Sequence, residues 1–219
     1  ALWKALRAGS VAQKPNVRAE LKVLVRLPVI LALLTTVLGS AAMFTLYTYI
    51  APSLVEFTHA SPSFITLMLV LIGIGFSIGN HLGGKFADIS IDKTLIGSLV
   101  VVIMMMLGFP MLAQSQIGAA IALVIWGAAT FALVAPLQMR VMSVAHEASG
   151  LASSVNIGAF NLGNALGAVA GAGVLSLGWS YSAVSSIGAV LAALGLFLVL
   201  IQIQLSRKSA LLYPASPQA

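Results

Sequence analysis

Charged residues fall along this chain in clusters, separated by long stretches that carry none. No Lys, Arg, Asp or Glu occurs in residues 27–55, 57–84, 94–139 or 148–206, runs of 29, 28, 46 and 59 residues. A helix needs about 20 apolar residues to cross a ~30 Å hydrocarbon core. The first two runs therefore hold one span each and the last two hold two each. Gln114-Ser115-Gln116 splits the third run, and Gly178-Trp179-Ser180-Tyr181 splits the fourth. The pattern predicts six spans, at about 29–51, 63–83, 94–113, 117–139, 150–176 and 181–204. Hydrophobicity is continuous within each run, which favours helices over barrel strands that alternate across about ten residues.

Composition agrees. Of 219 residues, 60% are hydrophobic and 7% charged, against roughly 25% charged in a soluble domain. A mean hydropathy of +1.06 leaves too little polar surface for a hydrated exterior. The apolar content argues against disorder, and the absence of cysteine argues against a disulfide scaffold. An all-α integral membrane protein with the lipid bilayer as its surroundings is the remaining class.

The basic residues set an orientation. Lys4, Arg7, Lys14, Arg18, Lys22 and Arg26 precede the first span, Lys85 and Lys93 follow the second, Arg140 the fourth, and Arg207 and Lys208 the sixth. All lie on one side, which the positive-inside rule makes cytoplasmic, with both ends of this segment inside. The net charge of +6 thus reports topology. No aromatic-interleaved basic patch accompanies it, so no nucleic-acid partner is expected. Three parts follow: a cytoplasmic connector at 1–26, a six-helix bundle at 27–206 and a cytoplasmic tail at 207–219. Within the connector, Ala1 to Arg7 read as a short interfacial helix or a solvated linker, broken at Pro15-Asn16. The connector, and an opening without Met, suggest a start inside a longer protein.

The segment from Gly83 to Lys93 reads as a tight glycine turn whose carboxylate can dock on a neighbouring helix end. With Gly84, Asp88 and Lys93 in place, it resembles the cytoplasmic signature loop of the major facilitator superfamily, G-x-x-x-D-R-x-G-R-R. Ile89, Ile91 and Asp92 stand where that pattern has Arg, Gly and Arg. The resemblance continues through Leu34-Thr35-Thr36-Val37-Leu38-Gly39, Thr48-Tyr49-Ile50-Ala51-Pro52 and Gly79-Asn80-His81-Leu82-Gly83-Gly84. It extends to Trp126-Gly127, to Pro136-Leu137-Gln138-Met139-Arg140, and to Asn156 through Gly167. These blocks look like the drug–proton antiporter and arabinose-efflux-like branch. The resemblance implies the C-terminal half of a twelve-helix fold, spans seven to twelve with a 3+3 inverted repeat. It also implies a missing N-terminal six-helix half of the same polypeptide, a bacterial-type inner membrane, and no cofactor.

Two helical faces can be read without the resemblance. At about 100° per residue, Ser153, Asn156, Gly163, Asn164, Gly167 and Gly171 share one arc of the fifth span, with Leu151, Val155, Leu162, Leu166 and Val169 opposite. Gly163, Gly167 and Gly171 form a small-xxx-small ladder for close helix packing. The asparagines either bond across helices or face an aqueous cavity, because a buried unpaired amide costs a few kcal/mol. In the first span Thr36, Ser40, Met43 and Tyr47 recur at i, i+4, i+7 and i+11 on one face. They form a candidate substrate-cavity wall with Asn156, Phe160 and Asn164, and helix packing is the alternative. Phe160 and Trp126 add apolar contact surface or belong to the core.

No enzymatic reading survives. Gly75-Phe76-Ser77-Ile78-Gly79 matches G-x-S-x-G, but a nucleophile elbow needs a strand-to-helix turn, and no span holds an orienting acid. His146-Glu147 lacks the second His of a zinc helix, and no phosphate loop occurs. His81 is the single ionisable residue inside a predicted span, near its cytoplasmic end. The expected function is secondary efflux of a small organic solute such as a sugar, nucleoside or drug. Alternating access is the expected route, and proton antiport is implied by the resemblance alone. A six-helix homodimer and a non-transporting membrane assembly partner are the alternatives.

Overall fold

A computed structural model describes residues 17–212. The expected interfacial helix at Ala1 to Arg7, the break at Pro15-Asn16 and the end of the tail lie outside the described residues. Nine α-helices and one 3-10 turn occur among the described residues: α1 (Val17–Leu24), α2 (Leu27–Tyr47), α3 (Ile50–Thr58), α4 (Pro62–Ile89), α5 (Ile91–Leu112), α6 (Gln116–Phe131), α7 (Val134–Val144), the 3-10 turn (His146–Ala148), α8 (Ser149–Ser176) and α9 (Tyr181–Leu212). Six helical stretches are long and apolar enough to cross a membrane. They begin within a few residues of the expected spans. We call the end carrying α1, the α4–α5 corner and Arg207 the basic end, and the opposite one the distal end.

Local chemistry sets the boundaries. Ser61, Ser90 and Ser115 cap α4, α5 and α6, each hydroxyl accepting the backbone N–H three residues on. His59 in the left-handed region ends α3, and Gly178 at φ 78 follows α8. The expected glycine turn at Gly83-Gly84 is not a turn: both glycines lie inside α4. The chain reverses at Ser90 alone, whose extended backbone separates α4 from α5. The connector and tail carry helix as well. Part of 1–26 is helix α1, whose Val23 is buried against Ala145 and Ala148, and α9 runs on to Leu212 instead of ending near 204.

The first and fourth crossings are broken in the same way. Pro52 and Pro136 each occupy the third position of the helix after the break. Proline has no N–H and crowds the carbonyl four residues back, here that of Thr48 or Ala132. At both sites the chain tightens just before the proline. Tyr49 N–H bonds Leu46 O at 3.0 Å, and Leu133 N–H bonds Thr130 O at 3.2 Å. Regular bonding resumes from Ser53 to Tyr49 O and from Leu137 to Leu133 O. Each crossing was expected to be one continuous helix.

Packing repeats the same symmetry. The fifth crossing lies along the first, α8 on α2, and the second lies along the fourth, α4 on α6. The first and fourth also pack on α9 and α5 respectively, and α5 packs on α9. Exchanging the first three crossings for the last three leaves this pattern unchanged, and the exchanged helices run in opposite directions. The bundle is therefore an inverted 3+3 repeat. Its main core sits between α2, α5, α6 and α9, around Leu46, Leu99, Met106, Phe109, Leu123 and Trp126.

A glycine ladder makes each of the two long contacts. Gly163 and Gly167 lie against Val37 O and Ala41 O of α2, and Gly171 lies against the Tyr49 ring. On α4, Gly75 and Gly79 lie against Val124 O and Ala128 O of α6, and Gly83 lies against Ala132 just past its end. A methyl group at any of the six would overlap these atoms, so only glycine permits the approach. The last glycine of each ladder meets the broken position of the facing crossing.

Candidate functional site

The predicted stripe on α2 divides along its length. Thr36, Ser40 and Met43 are buried inside the bundle, and Tyr47 is 37% exposed. Thr36 returns its hydroxyl to Ala32 O of its own helix at 3.3 Å. Ser40 donates to the Phe160 carbonyl at 2.8 Å and lies against Asn164 Oδ1. Ser40, Phe160 and Asn164 thus meet in the α2–α8 seam beside Gly163. Thr45 extends the seam by donating to Gly167 O at 3.1 Å, and Tyr49 OH donates to Ala168 O at 3.0 Å. Thr36 and Ser40 use their hydroxyls within and between helices, and Met43 belongs to the buried apolar core. Leu162, Leu166 and Val169 face outward on α8.

Asn156 belongs to a second contact. It is fully buried, and its Nδ2 donates to Gln138 Oε1 of α7 at 2.6 Å. Gln138 Nε2 in turn donates to Ser153 Oγ at 2.6 Å. Asn156 Oδ1 has no partner among the described residues.

Arg140, read from sequence as a basic loop anchor, lies inside α7 and is 8% exposed. Its guanidinium pairs with Asp92 and reaches Gln202 Oε1 at 3.5 Å. Gln202 Nε2 donates to Thr35 Oγ1 at 2.8 Å and to Leu31 O at 3.3 Å. This network joins α5, α7, α9 and α2 at the basic end, with a cleft of about 880 Å³ beside it. In the signature segment Asp92 is the docking carboxylate; Asp88 and Lys93 are exposed, and Gly84 is half-buried in open space. A burial of charge this deep needs its partner, because an unpaired guanidinium loses solvation without recompense. Outside the bundle, Arg26 holds Glu147 through two bonds of 2.9 and 2.8 Å.

The group that remains open is aromatic. Tyr47 contacts Phe44 and Phe76 with ring centroids 5.5 and 5.9 Å apart. Phe76 stacks on Phe131 at 3.9 Å and meets Trp126 at 6.3 Å. These rings come from α2, α4 and α6, and Phe44, Phe76 and Phe131 are partly exposed. At 1.5 Å per residue, Tyr47, Phe76 and Phe131 sit about 16, 21 and 22 Å from the distal ends Thr58, Pro62 and Gln116. α4 has 28 residues and is about 42 Å long, so Phe76 stands near its middle, and the rings it touches share that depth. The Trp126 indole N–H behind them is buried with no partner among the described residues. Sequence reasoning found Tyr47 and Trp126 but not Phe44, Phe76 or Phe131. Phe76 was concealed within the hydrolase-like G-x-S-x-G match.

Comparison with known proteins places this architecture. No family model matches the sequence. The chain is 61% identical to the inner membrane transport protein YdhP of Escherichia coli K12 over 198 residues, 90% of this chain and 51% of that protein. It is 35% identical to the uncharacterized MFS-type transporter YfhI of Bacillus subtilis over 163 residues, 74% of this chain and 41% of that protein. A probable sugar efflux transporter of Helicobacter pylori is 29% identical over 204 residues, 90% of this chain and 50% of that protein. The chain spans about half the length of the curated relatives it matches. With six apolar crossings in an inverted repeat, and relatives that are transporters of this kind, the chain belongs to the major facilitator superfamily.

Proposed function

We propose that this chain is the C-terminal six-helix body of a secondary active transporter that exports a small neutral or apolar organic solute across a bacterial inner membrane. Two six-helix bodies would rock around a site near the midplane at their interface. The basic end is the cytoplasmic end in this reading. The observation that carries it is the partly open aromatic group of Phe44, Tyr47, Phe76 and Phe131 at mid-depth, beside the two proline-broken crossings. Aromatic rings supply apolar contact area, and the Tyr47 phenol supplies one polar handle. Such a wall suits a sugar, a nucleoside or a drug-like molecule better than an ion. The names of two relatives, one for transport and one for sugar efflux, support the same reading.

Proton antiport rests on the family resemblance. Glu20 lies in α1 before the first crossing, and Glu56, Asp88, Asp92 and Glu147 lie toward helix ends or between helices. A carboxylate that binds and releases a coupling proton at mid-depth therefore falls to the other body.

The test is counterflow by the full-length transporter in proteoliposomes, using labelled sugars, nucleosides and apolar dyes. Tyr47→Ala is expected to raise the half-saturation concentration of the transported solute about tenfold, the effect of losing one aromatic contact. Tyr47→Phe separates the ring from the phenol. An uncoupler that abolishes export but leaves counterflow intact supports antiport. Unchanged half-saturation in Tyr47→Ala for every transported solute removes the aromatic wall from the mechanism.

A further inference from the structure

An open groove of about 730 Å³ runs between α4 and α5, with α6 as its floor. The two walls start together at Ser90 and diverge toward mid-depth. Ala128, Ala129 and Ala132 keep the floor low, and Gly97 opens one wall, where a methyl group would meet nothing within 4 Å. The other wall is the apolar stripe Ile78, Leu82, Phe86 and Ile89 of α4, all exposed. A separate exposed stripe of α4, Gly73, Ser77, His81 and Asp88, lies about 100° away around the helix. The groove thus opens on the apolar side of α4.

Its length is that of one leaflet. From Ser90 to Val101, and from Ile78 to Ile89, the groove spans 11 residue steps, or about 16 Å. One leaflet of a ~30 Å core is about 15 Å deep.

The basic end of the groove carries Lys93. Its ammonium has no carboxylate partner among the described residues, whereas Arg26 is held by Glu147 and Arg140 by Asp92. A free cation at the mouth of an apolar slot complements an amphiphile with an anionic head. We propose that this groove holds one acyl chain of an anionic phospholipid of the basic-end leaflet, with the lipid phosphate paired to Lys93. The proposal requires the membrane-spanning bundle and is independent of transport.

Native mass spectrometry of the full-length protein, released from detergent with added phosphatidylglycerol or phosphatidylcholine, tests it. Phosphatidylglycerol is expected to be retained more tightly. Lys93→Ala should weaken its retention about fivefold, the worth of one basic residue at an anionic surface, and Lys93→Arg should restore it. Gly97→Leu should expel both lipids while leaving the thermal midpoint unchanged, because the side chain enters open space. Equal retention of the two lipids, retention of phosphatidylglycerol unaffected by Lys93→Ala, or lipid still bound to Gly97→Leu would each overturn the proposal. So would a second copy of the chain occupying the groove in place of lipid.

Discussion

Gly167 cannot accept a methyl group, because Ala41 O and Thr45 N of the facing helix occupy the place where it would go. Gly173, two turns along α8, faces open space. The pair makes a controlled comparison of packing with helix propensity. Gly167→Leu should lower stability by about 1–3 kcal/mol, the usual range for overpacking. Gly173→Ala should be neutral or raise stability by up to about 1 kcal/mol. Thermal unfolding in detergent reads both, and an unshifted midpoint in Gly167→Leu would mean the α2–α8 contact tolerates separation. Arg140 shows a different residue-scale lesson. Its place at the end of an apolar run looked like a loop anchor, yet its cation is buried with Asp92 and Gln202. Those partners are 48 and 62 residues away in sequence, so no local pattern joins them.

At the scale of the element, charge-free runs made the six crossings legible, since a stretch without ions has few alternatives to spanning the bilayer. The breaks were not legible. Pro52 lay just past the expected end of the first span, and Pro136 lay within an otherwise continuous apolar run. Hydropathy reports composition and is blind to a missing N–H. The ladder on α8 was recognised because its glycines share a face with asparagines. The equivalent ladder on α4 was hidden among Gly73 and Gly84, which face elsewhere. If the breaks let the second half of each crossing move, Pro52→Ala and Pro136→Ala should stiffen them by restoring the N–H that bonds Thr48 O or Ala132 O. The expected outcome is slower counterflow with an unchanged or raised thermal midpoint. Full-rate transport in the double variant would show that the breaks serve packing alone.

At the scale of the whole molecule, the prediction concerns sidedness. A reporter inserted after His59 should lie on the opposite face of the membrane from one fused after Lys208, with the second facing the cytoplasm. Accessibility to an impermeant thiol reagent, using a single cysteine at each place in this cysteine-free chain, gives the same reading independently. Labelling of both from one side would break the six-crossing count on which the transporter assignment stands.

The glycine ladders carry a consequence for how damage to this protein should be sorted. Gly83 meets the break at Ala132 on the basic-end side of the aromatic group, and Gly171 meets the break at Tyr49 on its distal side. The inverted repeat makes these the same joint seen from opposite sides of the membrane. Lesions at the two joints should consequently come in mirror pairs. In the proposed transport cycle, one member would arrest the protein open to the cytosol, and the other would arrest it open to the outside.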